Sequence, residues 1–325
     1  MSSNIPLIET LQDAVILKPA SGGAASAKPV VSVVTVCFNP LRNGREMLFA
    51  KNLDSVQQQT GVSVEHIIVD GASDDGTLDF INRYDNARHD MCLLSKGDSG
   101  IYDAMNRGIA LAQGKYVTFL NSDDFYHCPE GLALSVKALE KSRCTFSFAP
   151  IVPEGSRFGH RLHRHPEHHL HRILIFPTIP HQSMLYLRSA LVELGGYDPT
   201  YLMGGDHDLT LRLIAARKKA CFVNTAFVTF ASGGFSTQNV ALKLREKERR
   251  VRNFHREVFG VEFSDEEIET LVRCYRYPPR YLSVYVASQH LIRRTFVAGL
   301  PKTIRQSLVR HFNFWKYYLK CLLSI

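Results

Sequence analysis

The sequence predicts an α/β fold in which a mainly parallel β-sheet is flanked by helices. From Val30 onward, short runs rich in β-branched residues alternate with segments of helical periodicity, and this alternation is typical of such sheets. Turn-forming residues follow the apolar runs, at the edge where parallel sheets bind their ligands. The length of 325 residues, with 45% hydrophobic and 22% charged, allows one large globular domain with an appendage.

The first 120 residues contain the clearest alternation. The predicted strands are VVSVVTV from Val30, VEHIIVD from Val64, MCLLS from Met91 and KYVTFL from Lys115. The predicted helices between them end near Gln59, span Thr77 to Tyr84 and span about Ala104 to Ala112. This order predicts strands that run parallel, with helices covering both faces of the sheet.

The pattern is looser beyond Pro150. It contains a His- and Pro-rich loop, the run QSMLYLRS, a turn at Gly195 and Gly196, a helix beginning near Asp206 and a last strand, CFVNTAFVTF. After Gly234 the sequence is predicted to be helical and basic. We therefore expect a flexible leader over residues 1–28, the sheet-containing domain over 29–235 and a basic helical C-terminal appendage over 236–325.

The charge distribution distinguishes the C-terminal part, and the cysteine pattern indicates the cellular compartment. The net charge of +8 belongs to the C-terminal part, since seventeen basic and eight acidic residues lie between Lys243 and Lys320. The seven scattered cysteines include no CxxC pair, which fits reduced thiols better than a disulfide framework. We see no run long enough for a spanning helix and no signal-peptide pattern in the first 28 residues. We therefore expect a cytoplasmic protein.

The sharpest polar motif is FLNSDD, where an apolar strand is followed at once by Asn121, Ser122, Asp123 and Asp124. A carboxylate fixed at a strand end can hold a hard divalent cation, with other positions left for phosphate oxygens and water. Such a cation would neutralise the charge of a departing diphosphate. Aspartates also occur in ordinary turns and helix caps, and for this motif alone that interpretation would be the default.

Two other acidic motifs favour the chemical interpretation. Asp70 ends the second predicted strand, where it can accept hydrogen bonds from a base or ribose lying over the sheet. Asp75, just after it, better fits a helix cap. Asp206 and Asp208 lie in the first turn of a helix behind a glycine pair, which lets backbone come close to a ligand. One carboxylate of this set can act as general base on an acceptor hydroxyl.

Five blocks together resemble the family 2 glycosyltransferases, which have the GT-A fold. The blocks are VSVVTVCFNP, IIVDGASDDGT, SKGDSGIYDAMNRGIALAQGKYVTFLNSDD, PHQSMLYLRS and GGDHDLTLRL. They lie in the family's order and spacing between about Val30 and Ser236, and their joint occurrence is more specific than any single block. The resemblance is greatest to the branch that builds bacterial surface polysaccharides. It implies an inverting transfer of a sugar from a nucleotide-diphosphate sugar, with a UDP-sugar favoured, to a glycan or lipid-linked acceptor.

The resemblance also implies site roles. The implied donor-binding residues are Phe38, Asn39, Asp70, Asp98 and Ser122. Asp123 would bind Mn²⁺ or Mg²⁺, and Asp206 would be the base that deprotonates the acceptor. The residues implied to border the acceptor or donor sugar are His181, Gln182 and Asp208.

Two positions depart from the family pattern. Asn121 replaces the first acid of the family's DxD motif, which removes one candidate for ribose or metal contact. Gly205 stands where many relatives have Glu before the base, which makes Asp206 and Asp208 harder to distinguish. A metal-dependent nucleotidyltransferase and a catalytically silent scaffold of a polysaccharide complex are the alternative functions. Release of pyrophosphate would indicate the former, whereas intact Asp70, Asp123 and Asp206 argue against the latter.

The C-terminal segments mix aromatic and aliphatic residues with cations, and no acidic residue follows Glu269. Such helices can lie at an anionic membrane surface, burying an apolar side that would consist of Phe312, Trp315, Tyr318 and Leu322. Packing on the catalytic domain or on a partner chain would explain the same composition. Nucleic acid is not an expected partner, because no recognised motif accompanies the basic residues.

Overall fold

The structure of the chain is a computed structural model that describes residues 15–17, 28–84, 90–154, 166–231, 239–296 and 298–301. The strands are β1 (Val15–Leu17), β2 (Val31–Cys37), β3 (Val64–Asp70), β4 (Asp90–Ser95), β5 (Tyr116–Phe119), β6 (Phe125–Tyr126), β7 (Phe146–Phe148), β8 (Ile151–Pro153), β9 (Leu185–Leu187), β10 (Ala220–Phe222) and β11 (Val228–Phe230). The α-helices are α1 (Glu46–Gln57), α2 (Thr77–Arg83), α3 (Ile101–Leu111), α4 (Gly131–Ser142), α5 (Arg188–Glu193), α6 (Gly205–Ala215), α7 (Val240–Phe259), α8 (Asp265–Cys274) and α9 (Leu282–Thr295).

The larger sheet has the strand order β1-β4-β3-β2-β5-β9-β7-β10 over the described ranges. The pairs β2–β3, β3–β4, β2–β5 and β7–β10 are parallel. Strand β9 runs antiparallel to both of its neighbours, and β1 runs antiparallel to β4. The prediction of a mainly parallel sheet flanked by helices is confirmed.

The two central strands show why these residues form this sheet. Every residue of β2 and of β3 is buried, which is expected for parallel strands covered by helices on both faces. Their polar residues are paired: Ser32 donates to Glu65 at 2.5 Å, and the Thr35 hydroxyl lies 2.9 Å from Nε2 of His66. Buried polar groups are tolerated here because each has a partner.

The prediction of one last strand, CFVNTAFVTF, is wrong. The segment forms two strands in different sheets: β10 pairs with β7 in the larger sheet, whereas β11 pairs with β6 and β8 in a smaller one. The chain leaves the first sheet at the turn-forming residues Asn224 and Thr225, which separate the two apolar runs. Helix α3 also begins earlier than predicted, at Ile101 instead of about Ala104.

The described helices of the C-terminal region pack against the rest of the chain. Phe254 of α7, Ile292 of α9 and Phe296 lie in the same buried cluster as residues of β2, β3 and α3. Ala298 forms a bridge with Cys221 of β10. Packing on the sheet-containing part, one of the alternatives considered for this region, is therefore what α7 and α9 do. Phe312, Trp315, Tyr318 and Leu322 lie outside the described residues.

No helix within the described ranges is both long enough and apolar enough to cross a bilayer.

Candidate active site

Asp70 is the last residue of β3, and its carboxylate oxygens accept hydrogen bonds from other residues of the protein. The residue is fully buried, and its oxygens accept hydrogen bonds from the Ser73 amide at 3.0 Å, the Ser73 hydroxyl at 2.5 Å and the Ser95 hydroxyl at 2.7 Å. Charged acceptors with several donors hold their surroundings in a fixed geometry. Asp70 therefore fixes the loop that follows β3 to the end of β4.

Asn39 ties the loop after β2 to the same structure. It has a positive φ of 49°, a conformation that Asn adopts more readily than most residues. Its side-chain oxygen accepts from the Asp74 amide at 3.0 Å, and its amide donates to the Ser73 hydroxyl at 2.8 Å. Asp75 accepts from the amides of Arg42 and Thr77, which agrees with the predicted structural role.

Phe38 and Asp98 meet over Gly71. A Cβ at Gly71 would lie 2.8 Å from Oδ2 of Asp98 and 3.3 Å from the Phe38 ring, so only glycine fits between them. Phe38 is 62% exposed, which leaves its ring available for stacking. The Gly100 amide donates to Asp98, and partial burial raises the pKa of Asp98. These predicted donor-binding residues are thus brought together.

The aspartate pair after β5 divides into a buried and a partly exposed member. Asp124 is fully buried, it accepts from the Ala231 amide at 2.9 Å, and burial beside Asp123 raises its pKa to about 8. Asp123 retains 18% side-chain exposure, and its Oδ2 lies 2.6 Å from Nη1 of Arg45. Burial raises the pKa of Asp123, and Arg45 opposes that effect. Ser122 beside it is partly exposed.

Asp206 lies in the first turn of α6, as predicted, and faces two polar groups. The Tyr102 hydroxyl donates to its Oδ1 at 3.4 Å, and Nδ1 of His181 lies 3.7 Å from its Oδ2. The Tyr102 ring is fixed by stacking on Tyr197, with ring centroids 5.3 Å apart. Burial lowers the pKa of His181, against the opposing effect of Asp206 and Asp123, so the imidazole is neutral at neutral pH. The carboxylate of Asp206 therefore has only weak partners within the protein.

Gln182 and Asp208, predicted beside the sugars, occupy different surroundings. Gln182 is buried and contributes a hydrogen bond to Asp124. Asp208 turns to Arg212, whose Nε donates to it at 2.7 Å, and it lines a cavity of about 360 Å³ with residues of α6, of α7 and of the loop that follows α5. Asp206 instead meets Tyr102 and His181, so the structure separates two carboxylates that the sequence left hard to distinguish.

Two charged residues of the site region were missed by the sequence analysis. Arg45 precedes α1 and pairs with Asp123, and Glu246 of α7 binds the backbone of the loop before α6. A lone charged residue at a distant position carries no motif, so a single sequence offers no signal for either pairing. Tyr102 of α3 contacts the predicted base.

The residues present fit a divalent ion only in part. The described residues include no group of three or more His, Cys, Asp or Glu side chains that could hold a metal. Mg²⁺ commonly takes just one or two protein carboxylates, with phosphate oxygens and water as its other ligands. Asp123 is the partly exposed carboxylate that suits this mode of binding, and Arg45 is the cation beside it.

The chain has sequence similarity to known proteins. The family model described as "Glycosyl transferase family 2" matches residues 32–194, which is half of the chain. The chain is 32% identical over 181 residues to a PGL/p-HBAD biosynthesis glycosyltransferase of Mycobacterium tuberculosis, a match over 54% of this chain. It is 36% identical over 123 residues to a putative teichuronic acid biosynthesis glycosyltransferase of Bacillus subtilis, a match over 37% of this chain and 46% of that protein. The match spans 65% of the mycobacterial relative's own length.

Solved structures of low sequence identity share the fold. S. aureus TarS 1-349, solved in complex with UDP-GlcNAc, superposes with a TM-score of 0.56 at 12% identity, covering 84% of this chain and 82% of that one. A Pyrobaculum calidifontis mannosyltransferase, solved with GDP-Man and Mn²⁺, gives a TM-score of 0.54 at 18% identity, covering 91% and 83%. The predicted GT-A fold is thereby confirmed. The chain belongs to glycosyltransferase family 2.

Proposed function

We propose that the protein is an inverting glycosyltransferase that moves a sugar from a nucleotide-diphosphate sugar onto an acceptor hydroxyl. One observation carries the proposal: Asp206 presents a partly exposed carboxylate, 25% accessible, at the start of α6, and it is the site acid with the weakest protein partners. A base must exchange a proton with its substrate, and a carboxylate whose acceptors are all occupied by protein donors is poorly suited to that task.

In this proposal Asp206 takes the proton of the acceptor hydroxyl as that oxygen attacks the anomeric carbon. The new glycosidic bond forms while the bond to the diphosphate breaks, and the electron pair leaves with the diphosphate oxygen. Attack on the face opposite to the leaving group inverts the anomeric centre. Neutral His181 lies 3.7 Å from Asp206 and borders the reacting sugar in this arrangement.

The donor would lie over the carboxyl ends of β2 and β3. The exposed ring of Phe38 would stack on the base, and Asp98 would contact the ribose or sugar. Asn39 and Asp70 would shape this pocket by fixing the loops after β2 and β3, while Ser122 would lie beside the phosphates. Asp123 would hold Mn²⁺ or Mg²⁺, which when bound neutralises diphosphate charge. Arg45 places a second positive charge beside that carboxylate.

The relatives indicate a substrate class. The names of the matched bacterial proteins refer to PGL/p-HBAD and teichuronic acid biosynthesis, which favours a glycan or lipid-linked acceptor here. The solved neighbours hold UDP-GlcNAc in one case and GDP-Man in the other. We favour a UDP-sugar as donor and place the enzyme in the cytoplasm, peripheral to the inner face of the membrane.

Donor identity tests the proposal directly. UDP-, GDP- and dTDP-sugars would each be added with and without Mn²⁺ while the melting temperature is followed, and the stabilising donor would then be incubated with acceptor extracts. We expect one nucleotide class to stabilise the protein more strongly with Mn²⁺ and to yield its nucleoside diphosphate with an inverted anomeric centre. Pyrophosphate release would show a nucleotidyltransferase instead, and binding without turnover would show a scaffold.

The membrane part of the proposal needs a separate experiment. Ten cations follow Glu269 without an acidic residue: Arg273, Arg276, Arg280, Arg293, Arg294, Lys302, Arg305, Arg310, Lys316 and Lys320. Each cation near an anionic surface contributes about 1 kcal/mol, so binding should weaken with salt. The full chain should sediment with anionic vesicles, and replacement of Arg305, Arg310, Lys316 and Lys320 by Gln should reduce this. Equal sedimentation of the two proteins would argue against a membrane role of these cations.

A further inference from the structure

The segment that leads into the proposed base is held by helix α7. The two carboxylate oxygens of Glu246 accept hydrogen bonds from the Leu202 amide at 2.7 Å and from the Met203 amide at 2.9 Å. Glu246 is only 6% exposed, so its carboxylate is withdrawn from water to bind backbone. Hydrogen bonds to a carboxylate are among the stronger ones in proteins. The two bonds fix the chain three and four residues before Asp206.

Arg250, one helical turn after Glu246, binds the residue that follows the base. It is 4% exposed, and its Nε donates to Nδ1 of His207 at 2.9 Å, while Nε2 of His207 lies 2.6 Å from the Ile173 carbonyl. Since Nδ1 must accept, Nε2 carries the proton, and His207 is the neutral tautomer. Burial, and then Arg250, lower the pKa of His207, which agrees with this state. Asp206 therefore lies between two segments anchored to α7.

The backbone just before Asp206 packs closely against side chains of two helices. A Cβ at Gly204 would collide with Nη1 of Arg250, and a Cβ at Gly205 would lie 2.9 Å from the ring of Tyr102 on the other side. The backbone just before Asp206 is thus clamped between α7 and α3. Arg250 also places a buried positive charge whose neighbours include Asp206 and Glu246.

We infer that Glu246 and Arg250 are positioning residues for the glycosyl transfer, so that the C-terminal helix α7 is part of the catalytic apparatus. The inference rests on the proposed function, because it takes Asp206 as the base. Neither residue has been placed against the substrate; each acts by holding the carboxylate of Asp206 at the attacking oxygen. A displacement of about 1 Å can reduce turnover by roughly a hundredfold, so modest loosening of this clamp would be measurable.

The experiment compares Glu246→Gln and Arg250→Lys with matched changes elsewhere on α7, Glu248→Gln and the exposed Arg245→Lys. Nucleoside diphosphate release would be followed with the nucleotide sugar that stabilises the protein in the donor screen. We expect Glu246→Gln and Arg250→Lys to lower kcat by about 10- to 100-fold, with the dissociation constant of the nucleoside diphosphate changed less than about twofold. The two control variants should match the wild type.

Two further readouts separate positioning from general damage. Amide hydrogen exchange at Leu202 or Met203 should accelerate in Glu246→Gln and not in Glu248→Gln, because glutamine at position 246 keeps only one of the two oxygens that accept from these amides. In an Asp206→Asn background, Glu246→Gln should change the residual turnover less than about twofold, since the two residues act as one unit.

The outcomes distinguish the two levels of the proposal. If Asp206→Asn keeps its turnover, the base assignment fails, and the positioning role fails with it. If Asp206→Asn is inactive while Glu246→Gln and Arg250→Lys behave like the controls, the positioning role alone is overturned. An equal loss from Glu246→Gln with and without Asp206 would also overturn it, because that result indicates damage unrelated to the base.

Discussion

The two sides of the candidate site differ in the burial and the hydrogen bonding of their carboxylates. On the donor side, Asp70 is completely buried, and four contacts from Cys37, Ser73 and Ser95 saturate its oxygens. On the base side, Asp206 is partly exposed, with one long hydrogen bond at 3.4 Å and a histidine at 3.7 Å. The first carboxylate is used to hold the loop after β3, whereas the second has the exposure and the weak partners that the proposed proton exchange requires.

The comparison shows that an acid in a family motif does not reveal its task by identity alone. Asp70 and Asp206 both lie in motifs of the family. Asp70 could contact a substrate only by giving up hydrogen bonds that hold the protein together, whereas Asp206 could do so without such a loss. The base side also depends on a distant helix, because α7 supplies Glu246 and Arg250. The donor side is built locally, from loops that follow β2 and β3.

The largest expected effect is loss of the base. Asp206→Asn should reduce turnover by roughly 10²- to 10⁴-fold while donor affinity stays nearly unchanged, because the carboxylate acts mainly in the transition state. Turnover and the donor dissociation constant would be measured side by side for Asp206→Asn and Asp208→Asn. Near-normal turnover in Asp206→Asn with loss in Asp208→Asn would assign the base to the other carboxylate.

The second-largest effect is expected on stability, when the buried and fully hydrogen-bonded carboxylate of Asp70 is replaced. Asp70→Asn keeps the shape of the side chain but presents an amide to hydrogen-bond donors, and the free energy of unfolding should fall by about 1–3 kcal/mol. Urea denaturation would measure it, with Asp74→Asn as the control, since Asp74 is 72% exposed. Unchanged stability of Asp70→Asn would contradict a structural role for this acid and weaken the contrast with Asp206.

Asp123 lies between the two sides, and its replacement should have a smaller effect on binding. Asp123→Asn should weaken UDP binding in Mn²⁺ by about tenfold, or about 1.4 kcal/mol, with no corresponding loss in EDTA. Calorimetry on both proteins, with and without the metal, tests this. Equal affinities in Mn²⁺ would show that Asp123 does not hold a metal.

The smallest effect concerns the helix that supports the base side. His255 of α7 is buried between the Val251 carbonyl and the Tyr277 hydroxyl, and burial lowers its pKa to about 4. Unfolding restores a pKa near 6.5, so the unfolded chain binds the extra proton, and stability is lost as pH falls from about 6.5 towards 4. The free energy of unfolding should drop by about 1 kcal/mol between about pH 7 and pH 5.5.

His255→Phe should remove this contribution to the pH dependence, whatever it does to stability at neutral pH. Urea titrations of both proteins at several pH values would show the slopes. The same slope in wild type and variant would mean that another group causes the acid sensitivity.

The sequence supported accurate predictions where many residues carry the same signal. Long and mainly apolar runs predicted β2 and β3, because strands that are buried on both faces consist largely of apolar residues. The small sheet was missed, since β6 has only two residues and β8 only three, too few to show a period. The segment CFVNTAFVTF was assigned as one strand because its two apolar runs are separated by so few residues.

In the candidate site, too, residues that belong to motifs were predicted, whereas pairings of isolated residues were not. His181 and Asp206, predicted from separate motifs, lie within 3.7 Å of each other. The pairing of Arg45 with Asp123 and of Glu246 with the loop before α6 could not be predicted, because each joins residues far apart in sequence. A single charged residue is compatible with many partners until the fold selects one.

The bridge between Ala298 and Cys221 has a consequence for biosynthesis. The Phe222 amide donates to the Ala298 carbonyl at 2.9 Å, so the backbone of β10 is covered at the end of the larger sheet by a segment that the ribosome makes more than seventy residues later. An uncovered strand edge is a template for pairing with other chains. During that interval a nascent chain would expose this edge, and a gene shortened ahead of residue 298 would leave it exposed for the lifetime of the product.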